Sequence, residues 1–134
     1  MAEYSERASA IPADVQRFIL TSIESVAEVE ALLLLRGTPE RAWSARALAP
    51  RLYIDESQAG DILKQLADRR FLVRDTEHEP TYRYDPSAAD LRSLIDRLAQ
   101  FYSTHLIGIT NLIHLKSKSR VQEFANAFRI RKDD

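Results

Sequence analysis

Cysteine is absent from this chain of 134 residues, which removes disulfides, thiol nucleophiles and cysteine-held metals from consideration. Glycine is nearly absent, occurring only at positions 37, 60 and 108, so no glycine-rich loop exists to cradle a phosphate. Neither G-x-S-x-G nor S-x-x-K occurs, and an activated serine therefore lacks its usual scaffold. The longest apolar run, residues 31–35, is far too short to span a bilayer. The opening residues, MAEYSERASAIPAD, lack the basic-then-apolar order of a signal peptide. These absences lead to the expectation of a cytoplasmic protein without membrane contact. A polybasic arm is missing too, so non-specific affinity for nucleic acid should be modest.

What is present is a chain rich enough in apolar residues, at 45%, to build a core. Its net charge of −1 hides a polarity along the sequence. Residues 1–40 carry −4, residues 41–54 carry +3 without a single acid, and residues 71–85 carry −2. The last nineteen residues, 116–134, carry +3. Sparse glycine and long periodic stretches predict mostly helix. Val15, Phe18, Ile19 and Ile23 line one face of a first helix, with Pro12 suited to its first turn. A second helix is expected from Ser25, with Glu28 completing a capping box, to the stop at Gly37. "RGTPERAW" reads as a loop. Ser44 caps a short helix containing Pro50, and Asp55 with Gln58 caps the next, whose Ala59, Ile62, Leu63 and Leu66 point inward. "FLVRD" and "TYRYD" alternate as two short strands around "TEHEP", which predicts a hairpin. From 87 to about 115 the pattern is one long helix, and residues 121–128 restart a short one.

That order resembles a winged helix-turn-helix. "WSARALAPRLYIDESQAGDILKQLADRRFLVRD" is similar to the middle of this fold in bacterial transcription regulators, where an S-x-x-x-L-A helix leads to one ending L-x-x-L-x-x-x-G-L-V. "YRYDP" resembles the close of the wing in PadR- and MarR-like proteins. The likeness covers about residues 43–86, a third of the chain. It implies a mostly helical fold with a two-stranded wing, a long C-terminal helix, and a dimeric DNA-binding regulator. The segments so drawn are a tail at 1–11, a winged-helix domain at 12–86, a dimerising helix at 87–115, and a basic end at 116–134. Three features depart from the family: Arg70 and Phe71 stand where glycine often precedes the strand, the wing lacks the aspartate–arginine signature typical of MarR-like wings, and the hairpin tip is acidic.

The resemblance places Ser57, Gln58, Lys64 and Gln65 against base edges, beside Asp61, because the N-terminal half of the second helix enters the major groove. Arg46, Arg51, Arg74 and Arg83 would then meet phosphates, with Arg69 near the wing. Leu91, Ile95, Leu98, Tyr102, His105, Ile109 and Leu112 recur at alternating spacings of four and three, an apolar seam suited to a symmetric dimer. Four acids among residues 55–70 keep a second reading open, in which the same fold binds a protein and never touches DNA. Catalysis is not expected. His105 and His114, nine residues apart, fall on opposite sides of a helix and make no metal pair. Glu77 and Glu79 sit on a hairpin tip with His78 between them, and Tyr82 and Tyr84 share a strand face suited to packing. No cofactor is expected.

Overall fold

The computed structural model describes residues 11–75 and 79–116. It is mostly helical, with a small three-stranded antiparallel sheet. The helices are α1 (Ala13–Ser22), α2 (Val26–Gly37), α3 (Ala45–Leu52), α4 (Glu56–Asp68) and α5 (Ala89–Thr104). Residues 106–116 form a further helical stretch, α6. The strands are β1 (Trp43–Ser44), β2 (Leu72–Arg74) and β3 (Thr81–Tyr84), in the sheet order β1-β3-β2. Two compact units divide the chain: Val26–Gln100, and residues 11–25 together with 101–116. This division runs across the segments drawn from the sequence at 12–86 and 87–115.

In the unit Val26–Gln100, local chemistry sets the helix starts. The Ser44 hydroxyl accepts from the Ala47 N–H at 3.1 Å and opens α3. Asp55 Oδ1 accepts from the Gln58 N–H at 2.7 Å, while Gln58 Oε1 accepts from the Asp55 N–H at 3.3 Å. This reciprocal box satisfies two amide donors at the mouth of α4. Ala59, Ile62, Leu63 and Leu66 are buried, at the helical spacing that one inward stripe requires. Helices α3 and α4 pack closely on each other, and α2 packs on both. Tyr82 and Tyr84 are buried from β3, so they pack and offer no stacking surface.

A strand missed by the sequence reading closes this unit. Trp43, expected in a loop, and Ser44, expected as a helix cap, pair with Tyr82 and Thr81, which makes the sheet three-stranded where a two-stranded hairpin was expected. Two residues cannot show an alternating pattern, and their partner lies about forty positions away. Pro12 likewise stands at the N-cap of α1, one residue before the first turn in which it was expected. Two non-glycine residues take left-handed backbone, Tyr53 (φ 56°) at the end of α3 and Arg70 (φ 67°) after α4. Arg70 holds this backbone although it is not glycine, the residue that adopts it at least cost.

The expected single helix from 87 to about 115 is bent at His105. Backbone bonds from the His105 N–H to Phe101 and from the Ile109 N–H to His105 continue through the bend. The Thr104 hydroxyl donates to the Phe101 carbonyl at 3.4 Å, a side-chain bond of the kind that opens a helical ladder. In the unit of residues 11–25 and 101–116, Val15, Phe18, Ile19, Ile23, Ile109, Leu112 and Ile113 are buried. Lys116 Nζ donates to the Ile23 carbonyl at 2.9 Å and reaches Glu24 at 3.3 Å, placing a cation at the C-terminal end of α1. The short helix expected at 121–128, the tail expected before residue 11, Glu77 and His78 lie outside the described residues.

Candidate nucleic-acid interface

Inward packing of α4 leaves Ser57, Gln58, Asp61, Lys64 and Gln65 exposed, as the sequence pattern requires. These positions are not equivalent. Gln58 uses its amide oxygen in the capping box, so a bidentate pairing with adenine would require that box to open. Gln65 has no side-chain partner among the described residues and keeps both amide atoms available. Exposed Asp61 stands between Gln58 and Lys64 on this face and opposes a phosphate.

The arginines sort by what they already hold. Arg83 grips Asp75 through Nε at 3.0 Å and a second nitrogen at 3.5 Å, across the hairpin. The hydrogen bond and the charge of Asp75 raise the Arg83 pKa further above its ordinary value. Arg83 therefore braces the hairpin through Asp75, and a phosphate approaching it would compete with that carboxylate. Arg69 is likewise engaged: it donates to Glu28 at 2.7 Å, linking the end of α4 to α2, and Glu28 is only 2% exposed. Arg46, Arg51 and Arg74 are exposed and hold no carboxylate among the described residues. A groove of about 380 Å³ runs between α4 and the hairpin, with Lys64 and Arg74 on its walls beside Glu56 and Glu79. Lys64 and Arg74 are thereby brought to one place, with acids alongside them.

Arg41 was not foreseen. Its guanidinium carbon lies 3.7 Å from the Trp43 ring centroid, and that of Arg51 lies 5.5 Å from the same centroid. The acid-free run 41–54 was the available signal, since it already contained all three arginines.

The expected dimer seam is divided. Ile95, Leu98, Ile109 and Leu112 are buried within a single chain, so they belong to its core and not to an open seam. Leu91, Tyr102 and His105 are partly exposed. His105 contacts the Thr104 hydroxyl at 2.8 Å through Nδ1, and its ring lies 5.3 Å from that of Phe101. Open apolar side chains on α6 lie outside that seam, Leu106 at 49%, Ile107 at 54% and Leu115 at 55% exposure, and Tyr53 after α3 is 95% exposed. Among the described residues, no three histidine or carboxylate groups gather as a metal site, and no helix is long and apolar enough to cross a membrane. The chain matches no protein-family model, and no curated protein is similar enough in sequence to count as a relative.

Proposed function

We propose that Val26–Gln100 contains a winged helix-turn-helix that binds duplex DNA, within a dimeric transcription regulator. The observation that carries this reading is topological. Helix, strand, two closely packed helices and a hairpin follow in that order, with β1 completing the sheet as β1-β3-β2. In this arrangement α4 is the recognition helix and β2–β3 the wing. Its outward face, with Ser57, Lys64 and Gln65 free, supports base contact, while Arg46 and Arg74 support phosphate contact on either side. Leu106, Ile107 and Leu115 support pairing through α6, because three large apolar groups at about half exposure favour a covering surface.

A second reading is favoured by a different observation. Glu56, Asp61, Asp68 and Glu79 are all exposed around the same face, and a basic protein surface would fit them. Fluorescence anisotropy of the full chain on random and upstream genomic duplexes, across a salt series, separates the two. Under the DNA reading, Lys64→Ala and Arg74→Ala each lower the salt slope by about one and weaken all sequences alike. Gln65→Ala costs about 1–3 kcal/mol on the preferred site and little on random duplex. Wild-type protein that fails to bind any duplex at low salt sinks the DNA reading. Light scattering should return twice the 15.3 kDa chain mass, and Leu106→Asp should return it to one chain.

A further inference from the structure

Trp43 is completely buried, yet the groups over its ring are two exposed arginines. The indole is held firmly. Its Nε1–H donates to the Thr38 hydroxyl at 3.1 Å, and that hydroxyl donates to the Leu34 carbonyl at 3.1 Å. Its backbone is pinned by pairing with Tyr82 in the sheet. Arg41 returns to the ring through a tight turn closed by its own N–H to the Thr38 carbonyl, 3.0 Å long. Arg51 approaches from the last turn of α3.

Both guanidiniums lie inside the roughly 6 Å radius at which a cation is attracted to a ring face, so their central carbons are no more than about 9.2 Å apart. Two like charges within that bound repel, and neither has a carboxylate partner among the described residues. The nearest stretch of chain, residues 41–54, contains no acid at all. A guanidinium lying over a ring uses its face, which leaves its in-plane N–H groups open to an acceptor. The arrangement is therefore a fixed pair of positive forks lacking the anion that would relieve their repulsion.

We propose that Arg41 and Arg51, held on Trp43, form a clamp for a phosphate oxyanion, and that its source is the backbone of a DNA duplex. The choice of source rests on the reading of α4 given above. The clamp stands outside that helix and carries no sequence information. It fixes the register in which α4 presents Gln65 and Lys64 to the groove. Arg41 is thereby a positioning residue on DNA, and Trp43 is the platform for both forks.

The test uses the full chain with Arg41→Met, Arg51→Met and the double variant, since methionine keeps part of the stem that covers Trp43. Circular dichroism melts establish that each variant is folded, and uncharged Arg→Gln versions replace any that is not. Two readouts follow. The first is the salt slope of duplex affinity, expected to fall by about one for each single variant and about two for the double, equally on all sequences. The second is the emission of Trp43, the only tryptophan in the chain, during titration with inorganic phosphate against chloride of equal ionic strength. Wild-type emission should respond to phosphate, and the double variant should not. A wild-type protein that binds no duplex overturns the DNA reading and the duplex as source, while a phosphate response lost in the double variant keeps the clamp. Duplex binding whose slope is unchanged in the double variant, with no phosphate response at Trp43, overturns the clamp and leaves the DNA reading standing.

Discussion

The pair between Glu28 and Arg69 sets up a sharp test of the fold around α4. Replacing Arg69 with alanine removes the guanidinium 2.7 Å from a carboxylate that is only 2% exposed. Removing one member of a buried pair costs about 3–5 kcal/mol, because the remaining charge stays desolvated. The Arg69 side chain is 25% exposed, so water can enter where the guanidinium was and offset part of that loss. The expected destabilisation is about 2–3 kcal/mol, a large share of the roughly 5–15 kcal/mol that holds a domain folded. Replacing both residues with methionine removes both charges, and should leave stability within about 1 kcal/mol of wild type. Urea unfolding followed by circular dichroism measures Arg69→Ala and, for the cycle, wild type, Arg69→Met, Glu28→Met and the double methionine variant, with the denaturant slope held constant across them. The cycle isolates the coupling between the two side chains. A loss below about 0.5 kcal/mol for Arg69→Ala, the range of a surface pair, would refute the reasoning. So would a double variant as unstable as the two single losses combined.

Tyr84→Phe should leave stability unchanged or raise it by up to about 1 kcal/mol, because the buried Tyr84 hydroxyl has no hydrogen-bond partner among the described residues. Burial first, and then the charge of Asp96, raise the Tyr84 pKa above its ordinary 10.0. The folded state therefore keeps this proton longer than the unfolded one; the contribution is full below pH 10.0 and is lost as pH rises through the higher folded value. Melts at increasing alkaline pH should show that decline in wild type and a shallower one in Tyr84→Phe. Arg70→Gly relieves left-handed backbone at φ 67° and should stabilise by about 0.5–1 kcal/mol; a lower melting temperature would show that the Arg70 side chain contributes more than the strain costs. Gly60→Ala lies inside α4, where the new methyl meets Ala45 Cβ at 3.6 Å, an ordinary contact, so urea unfolding should show a gain approaching about 1 kcal/mol.

The helices and their caps were legible because their causes are local. Ser44 with Ala47 and Asp55 with Gln58 each act within three residues, and the stripe of Ala59, Ile62, Leu63 and Leu66 repeats within one element. What the sequence hid depends on distant partners. The strand at Trp43 and Ser44 exists because Tyr82 and Thr81 come to meet it. Arg69 and Arg83 look as free as Arg74 in the sequence, and only folding assigns them to Glu28 and Asp75. The seam from Leu91 to Leu112 has helical spacing, but spacing does not say whether the chain's own core or a second copy covers a face. The bend at His105 has neither proline nor glycine at the site to announce it.

The pairing of charges answers the difficulty raised by the acids of α4. In Val26–Gln100, the acids engage Arg36, Arg69, Arg83 and Arg92, through Asp96, Glu28, Asp75 and Asp85. Six cations of this unit hold no carboxylate among the described residues, and these six fall between positions 41 and 74. Arg41, Arg46 and Arg51 belong to α3 and its approach, and Lys64, Arg70 and Arg74 to α4 and the strand after it. A duplex held by α4 alone would meet one lysine beside Asp61 and release about one counterion per chain. A duplex held also by the clamp on Trp43, by Arg46 and by Arg74 would release about four or five. The salt slope per chain thus measures where the duplex rests. A value near one places the electrostatic contact on α4, where the acids oppose it, and a value near four moves it to the acid-free run before that helix.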